Sequence, residues 1–176
     1  MKNILINGLL AGAVLIVVYL VFYFINPSLN YDFTRGIIMS SIIYLFFLIR
    51  AGFQQRKRLG GFLGFGEVFV PSIAIYAIAS FIGVIFSFIM IILNPELVEL
   101  VKESSNQMNE NIFSMVGMSE EQIALAIEEA NETVDPNQFT SLSTTIIGWL
   151  VTIIFPGLIY ALIASLITKK KDKSVA

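Results

Sequence analysis

The sequence predicts an all-α protein: an integral membrane four-helix bundle with a helical extracytoplasmic loop between helices 3 and 4. Three observations carry this expectation. Hydrophobic residues make up 56% of the 176 residues and charged ones only 14%, with a mean hydropathy of +0.81; a soluble domain carries about 25% charged residues. The apolar residues gather into four runs, and about 20 such residues cross a bilayer core as a helix. The charges are also sorted. Between residues 94 and 141 stand ten acids and a single base, Lys102, giving −9 there and +7 over the rest of a chain whose net charge is −2.

The first run covers about residues 4–25 and stops at Asn26-Pro27-Ser28. It is longer than the apolar core of a secretory signal and lacks a small-x-small cleavage site, so it is expected as a retained span. The second, 31–49, is short if counted from Gly36. Starting it at Tyr31 puts Asp32 and Arg35 one turn apart, near enough to the surface to pair or snorkel. Removing it would place Arg50, Arg56, Lys57 and Arg58 on the same side as the acidic segment, against the positive-inside rule. Runs 68–93 and 142–168 have length to spare. The whole chain, 1–176, then forms one membrane domain.

Orientation follows from nine of the eleven Lys and Arg residues. Lys2, the basic loop 50–66 and Lys169-Lys170-Lys171-Asp172-Lys173 are expected in the cytoplasm, with both termini, and the acidic loop 94–141 outside. Tyr19, Tyr23, Tyr31 and Trp149 lie near the proposed outer ends, as an aromatic belt would place them, while Tyr44 and Tyr160 lie deeper.

Helices in lipid associate through small residues. Gly8 and Gly12 form a GxxxG in span 1. Ala79, Gly83 and Ser87 recur four apart in span 3, and Gly157, Ala161 and Ser165 do so in span 4, just after Pro156, which should kink the helix. These stripes read as the seams of the bundle, with Gly8 and Gly12 alternatively a homodimer face.

In the acidic loop, Asn94-Pro95-Glu96 has the chemistry of a helix start. Gly117 interrupts that helix, and Ser119-Glu120-Glu121-Gln122 is a capping box opening a second one through about Glu132, before Asp135-Pro136 breaks it. The acids lack the spacing of a calcium loop and read as a solvated helical face. Asn131-Glu132-Thr133 matches a glycosylation sequon, a pattern common by chance.

With no cysteine and no histidine, disulfides, thiol nucleophiles, zinc sites of those ligands and histidine-ligated haem are excluded. No cofactor and no metal site is expected; a metal would have to be a hard cation on carboxylates. The densest constellation is Arg50 to Phe69. Basic residues there precede Gly60, Gly61, Gly64 and Gly66, with Phe62, Phe65 and Phe69 on roughly one helical face. Phosphate-binding loops are glycine-rich, but no GxxxxGK[ST] is present and no strand precedes these glycines, so another reading is better. It reads as an interfacial element, with Arg56, Lys57 and Arg58 among the anionic lipid headgroups of the cytoplasmic side.

The Asn7-Gly8…Gly12 run, the Gly60-Gly61-Phe62…Phe65-Gly66-Glu67…Phe69 run and the Asn94-Pro95-Glu96 exit together resemble the small four-span bacterial membrane family called domain of unknown function 4199. The resemblance covers nearly the whole layout. It implies a four-helix protein of the inner membrane and supplies neither an activity nor catalytic residues.

Glu67 is the one ionisable residue near lipid depth outside the loops. Intramembrane carboxylates often serve proton relays or substrate sites. At the first turn of span 3, however, the helix dipole favours it, with Arg50, Arg56 or Arg58 as partners. The first functional expectation is a regulatory or interaction component with a protein partner, or a homo-oligomer. The second is a small oligomeric transporter or channel, which the lack of charge in the cores of spans 1, 2 and 4 disfavours. An intramembrane enzyme comes third, because no triad and no paired core carboxylates appear. Nucleic acid is not an expected partner.

Overall fold

The computed structural model describes residues 2–133 and 139–170. Asp135, Pro136, Lys171, Asp172 and Lys173 lie outside these. The described residues form seven α-helices: α1 Lys2–Ile25, α2 Phe33–Arg58, α3 Phe65–Leu93, α4 Leu97–Met115, α5 Glu120–Thr133, α6 Leu142–Thr152 and α7 Leu158–Thr168. The expected count of four spans stands. Four helices are long and apolar enough to cross a membrane: Lys2–Ile25, Thr34–Arg58, Phe65–Leu93 and Leu142–Thr168. By helix length and composition this is a multi-pass membrane protein.

Two boundaries differ from the expectation. Residues 50–58 are not a loop. The helix of span 2 runs on through Arg58, because Gln54, Gln55, Arg56, Lys57 and Arg58 are all good helix formers and their long side chains reach water from a helical backbone. Span 3 begins at Phe65, three residues early. The basic loop therefore shrinks to residues 59–64. Gly60 and Gly61 hold φ of 76° and 99° there, a region open to glycine, and the Gly61 N–H closes the end of α2 on the Arg56 carbonyl at 2.9 Å.

Asp32 caps α2 by accepting from the Arg35 N–H at 2.7 Å, so its carboxylate serves the backbone rather than the Arg35 side chain. Asn94 belongs to the helix before it, closing α3 with its N–H on the Met90 carbonyl. α4 starts three residues later than Asn94, at Leu97, without a side-chain cap. Ser119 and Gln122 do form the expected capping box, with the Ser119 N–H donating to Gln122 Oε1 at 2.9 Å and the Gln122 N–H to Ser119 Oγ at 3.3 Å. α5 then folds back on α4.

The fourth span is two helices joined by a π turn over Ile153–Gly157 that contains Pro156. Proline has no N–H, so the Thr152 carbonyl four residues back would be stranded. In a π register each N–H bonds five residues back, and the next donor serves it instead. Pro71 poses the same problem inside α3.

The four spans do not pack evenly. α3 packs on α1 and α7, and α2 packs on α7, α1 and α3. The buried residues concentrate at the basic end. Leu48, Ala51, Ile75 and Ala164 form one cluster there, and Ala11, Phe47 and Ala79 form a second just beyond it. Above them the rings of Tyr44, Tyr76 and Tyr160 meet at centroid distances of 4.5 to 5.8 Å. Toward the acidic end the helices separate around cavities. Trp149 is not in an interfacial belt: its indole N–H reaches inward to Ser80 Oγ, 3.0 Å away in the middle of α3.

Candidate functional site: the basic end of the bundle

Four chain segments converge at the basic end: the start of α1, the end of α2, the loop 59–64 with the start of α3, and the end of α7. α1 and α2 are joined by amides. Asn7, buried at 1% exposure, donates from Nδ2 to the Asn3 carbonyl and Asn3 Oδ1, both at 2.8 Å, and to Gln54 Oε1 at 3.1 Å. Two hydrogens thus face three acceptors, while Asn7 Oδ1 has no donor among the described residues.

Over this amide cluster lies an open cavity of about 610 Å³, lined by Lys2, Asn3, Ile6, Gln54, Lys57 and Arg58. It holds three cationic side chains and no carboxylate. Such a lining suits a phosphate-bearing anion, which accepts charge-assisted hydrogen bonds from Lys and Arg. Lys57 and Arg58 of the expected headgroup contact are here, joined by Lys2. The third expected member, Arg56, points elsewhere and lies over the Phe53 ring at 5.4 Å.

The loop and the end of α7 are stitched by an antiparallel bridge. The Leu63 N–H donates to the Lys170 carbonyl and the Lys170 N–H to the Leu63 carbonyl, both at 2.9 Å. Leu63 is 1% exposed, and Lys170 Nζ stands over the Phe62 ring at 5.8 Å. Phe65 and Phe69 stack one turn apart, whereas Phe62 sits in the loop and does not share their helical face.

Glu67 is exposed, and its Oε2 accepts from the Gly64 N–H at 2.7 Å, closing the start of α3. Among the described residues it makes no ion pair with Arg50, Arg56 or Arg58. Arg50 instead stands over the Phe47 ring at 5.9 Å. The Glu67 carbonyl is the one that Pro71 cannot serve, and Gln55 Nε2 of α2 donates to it at 2.8 Å. Glu67 is thus built into the α2–α3 corner through both its side chain and its backbone.

The small residues divide by depth. A Cβ on Gly8 would meet Ile78 at 2.9 Å, one on Gly12 would meet Ile82 at 2.7 Å, and one on Gly157 would meet Tyr76 at 2.8 Å. Gly8 and Gly12 therefore face α3 within this chain. Ala79, Ala161 and Ser165 are fully buried, with Ser165 Oγ donating to the Ala161 carbonyl at 2.6 Å. Gly83 and Ser87 differ. A Cβ on Gly83 would meet only Leu15 Cδ1, at an ordinary 3.7 Å, and both residues line a cavity. Gly52, which the small-residue spacing does not mark, has the closest approach, with its would-be Cβ 2.6 Å from Thr168 Oγ1.

The sequence marks Asn7 only through the family resemblance, and it gives no sign of the roles of Gln54, Gln55, Gly52 and Leu63. Asn3 and Asn7, one turn apart on an otherwise apolar helix, were the readable signal. Among the described residues no group of His, Cys, Asp or Glu is placed to hold a metal ion. No curated protein and no solved structure matches the chain. A family model does match, over residues 6–170, and on that extent the chain belongs to the family described as Protein of unknown function (DUF4199).

Proposed function

We propose that this protein is an interaction component of its membrane, seated by its basic end on anionic headgroups and offering the acidic α4–α5 hairpin to a cationic partner on the other side. The observation that carries the reading is the tip of that hairpin. Met115 and Val116 are 85% and 70% exposed and Ile112 47%, at the end of a helix too polar to be a span and in the turn after it. Exposed apolar side chains on a span face lipid, but a patch outside the spans invites a protein. Glu110, Glu120 and Glu121 surround it in sequence, which favours a basic amphipathic surface. The cationic cavity supports the other half of the reading, because clustered Lys and Arg at the headgroup level attract anionic lipid by about 1 kcal/mol each.

A photo-crosslinking residue at Met115 in native membranes tests the partner. Protein adducts are expected that disappear when Glu120 and Glu121 both become Gln. Adducts to lipid alone, or protein adducts indifferent to those glutamates, would refute the reading.

A further inference from the structure

Two cavities at the acidic end share a wall, and the wall is a pair of tyrosines. The outer one, about 180 Å³, is lined by Tyr31, Asp32, Glu103 and Ser104 among others, with no basic side chain. The inner one, about 210 Å³, lies between α1, α2 and α3; its lining is largely apolar, with Leu15, Ile16, Val84 and Phe86, but includes four hydroxyl-bearing residues: Tyr19, Tyr44, Ser80 and Ser87. Tyr31 belongs to the outer cavity and Tyr19 to the inner, and their hydroxyls are hydrogen-bonded at 2.7 Å. Their rings meet edge to face, and Asn30 Nδ2 fixes the corner by donating to the Tyr19 carbonyl at 3.1 Å.

The inner cavity is mostly apolar, and packing does not explain why it stays open or why hydroxyl-bearing side chains line it. A seam of small residues should let helices close, as Gly8 and Gly12 do. At Gly83 the same kind of stripe leaves a gap instead. Tyr44 lines this gap, and its hydroxyl has no hydrogen-bond partner among the described residues. A hydroxyl left open inside a bilayer is costly unless something satisfies it. The Tyr44, Tyr76 and Tyr160 rings close the floor, below which the basic-end core is tight.

We propose that these cavities form a binding site for a small organic cation of the alkylammonium class, entered from the acidic end past the Tyr19–Tyr31 pair. Carboxylates of Asp32 and Glu103 at the mouth draw in a positive charge and exclude anions. Inside, hydroxyl oxygens accept from an ammonium, and the faces of Tyr19 and Tyr44 hold its charge by cation–π attraction. The hydrogen bond between the tyrosine pair keeps the two spaces apart until a solute displaces it. The site is independent of the hairpin's partner, so either proposal can fail alone.

The lack of native cysteine makes the test direct. Ser80 lies seven residues below Ser87 on α3, about 10 Å deeper at 1.5 Å per residue. Ser80→Cys, with Gly83→Cys as a second reporter that leaves the Trp149–Ser80 bond intact, is placed in nanodiscs, where reagents reach both faces. Two thiol reagents of similar size are compared, trimethylammonium-ethyl and sulfonato-ethyl methanethiosulfonate. The cationic reagent should modify both reporters at least tenfold faster than the anionic one. Tyr31→Phe should speed that reaction several-fold by removing the pair's hydrogen bond, and Glu103→Gln should narrow the charge preference. Ser165→Cys, in the tight half, should stay unreactive. Reporters that react with neither reagent, or with both equally, overturn the site, and rates unchanged by Tyr31→Phe overturn the gate.

Discussion

Gln55 lends a hydrogen to a carbonyl that Pro71 has orphaned, and this pairing should be visible as coupling. Gln55→Ala is expected to destabilise the protein by about 0.5–1.5 kcal/mol, the ordinary net worth of a hydrogen bond. In a Pro71→Ala background the new N–H serves Glu67, and the same substitution should cost almost nothing. A double-mutant cycle on thermal unfolding in detergent measures the difference. Additive losses would mean that Gln55 acts elsewhere. Glu67→Gln retains an acceptor for the Gly64 N–H, so only its interaction with the helix dipole is lost, roughly 0.3–1 kcal/mol, and folding should be unaffected. The glycines make a sharper contrast. Gly52→Ala drives a methyl into Thr168 and should cost about 1–3 kcal/mol, while Gly83→Ala should be tolerated; equal melting of the two variants contradicts the packing described. From sequence, Gly83 and Gly52 cannot be ranked this way. Four-residue spacing marks a face that can pack closely, but whether it does depends on which side chains the neighbouring helix brings opposite.

Hydropathy and charge were enough to read the helices in the sequence, because lipid permits few alternatives: a backbone in hydrocarbon must satisfy itself, and a helix does so within one segment. Where water replaces lipid that constraint lapses, and boundaries were misplaced there. The end of α2 is charged, which in a sequence resembles a loop, yet its residues favour helix and the helix simply emerges from the apolar layer. The capping box of α5 was legible because a Ser and a Gln three apart bond each other whatever surrounds them. Its role should be local. Ser119→Ala should cost α5 about 1 kcal/mol, seen as faster amide exchange along 120–133, without shifting the melting of the spans. The π turn was only half legible: Pro156 announces a defect but not whether the helix kinks or re-registers.

At the scale of the whole molecule the bundle is tight at its basic end and open at its acidic one. None of this was readable in advance, since packing density arises from pairs of helices rather than single ones. The cationic cavity likewise joins residues from α1 and α2 that the sequence holds far apart. The proposed orientation gives an expected labelling pattern in intact cells: an impermeant thiol reagent should modify Ser119→Cys on the hairpin and spare Leu59→Cys, which is exposed in the basic-end loop. The reverse pattern would invert the topology.

The bridge between Leu63 and Lys170 also bears on how the protein is made. Leu63 is synthesised before α3 exists, but the partner for its amide and carbonyl arrives only after α7. Until then a backbone segment that ends up buried has no internal mate, and the first helices hold their corner open to water or to whatever assists insertion. Closure of this corner therefore waits on the synthesis of α7 and the residues just after it. A chain stalled or cut before residue 170 would present an unlatched glycine loop, open to a protease that the bridged loop turns away.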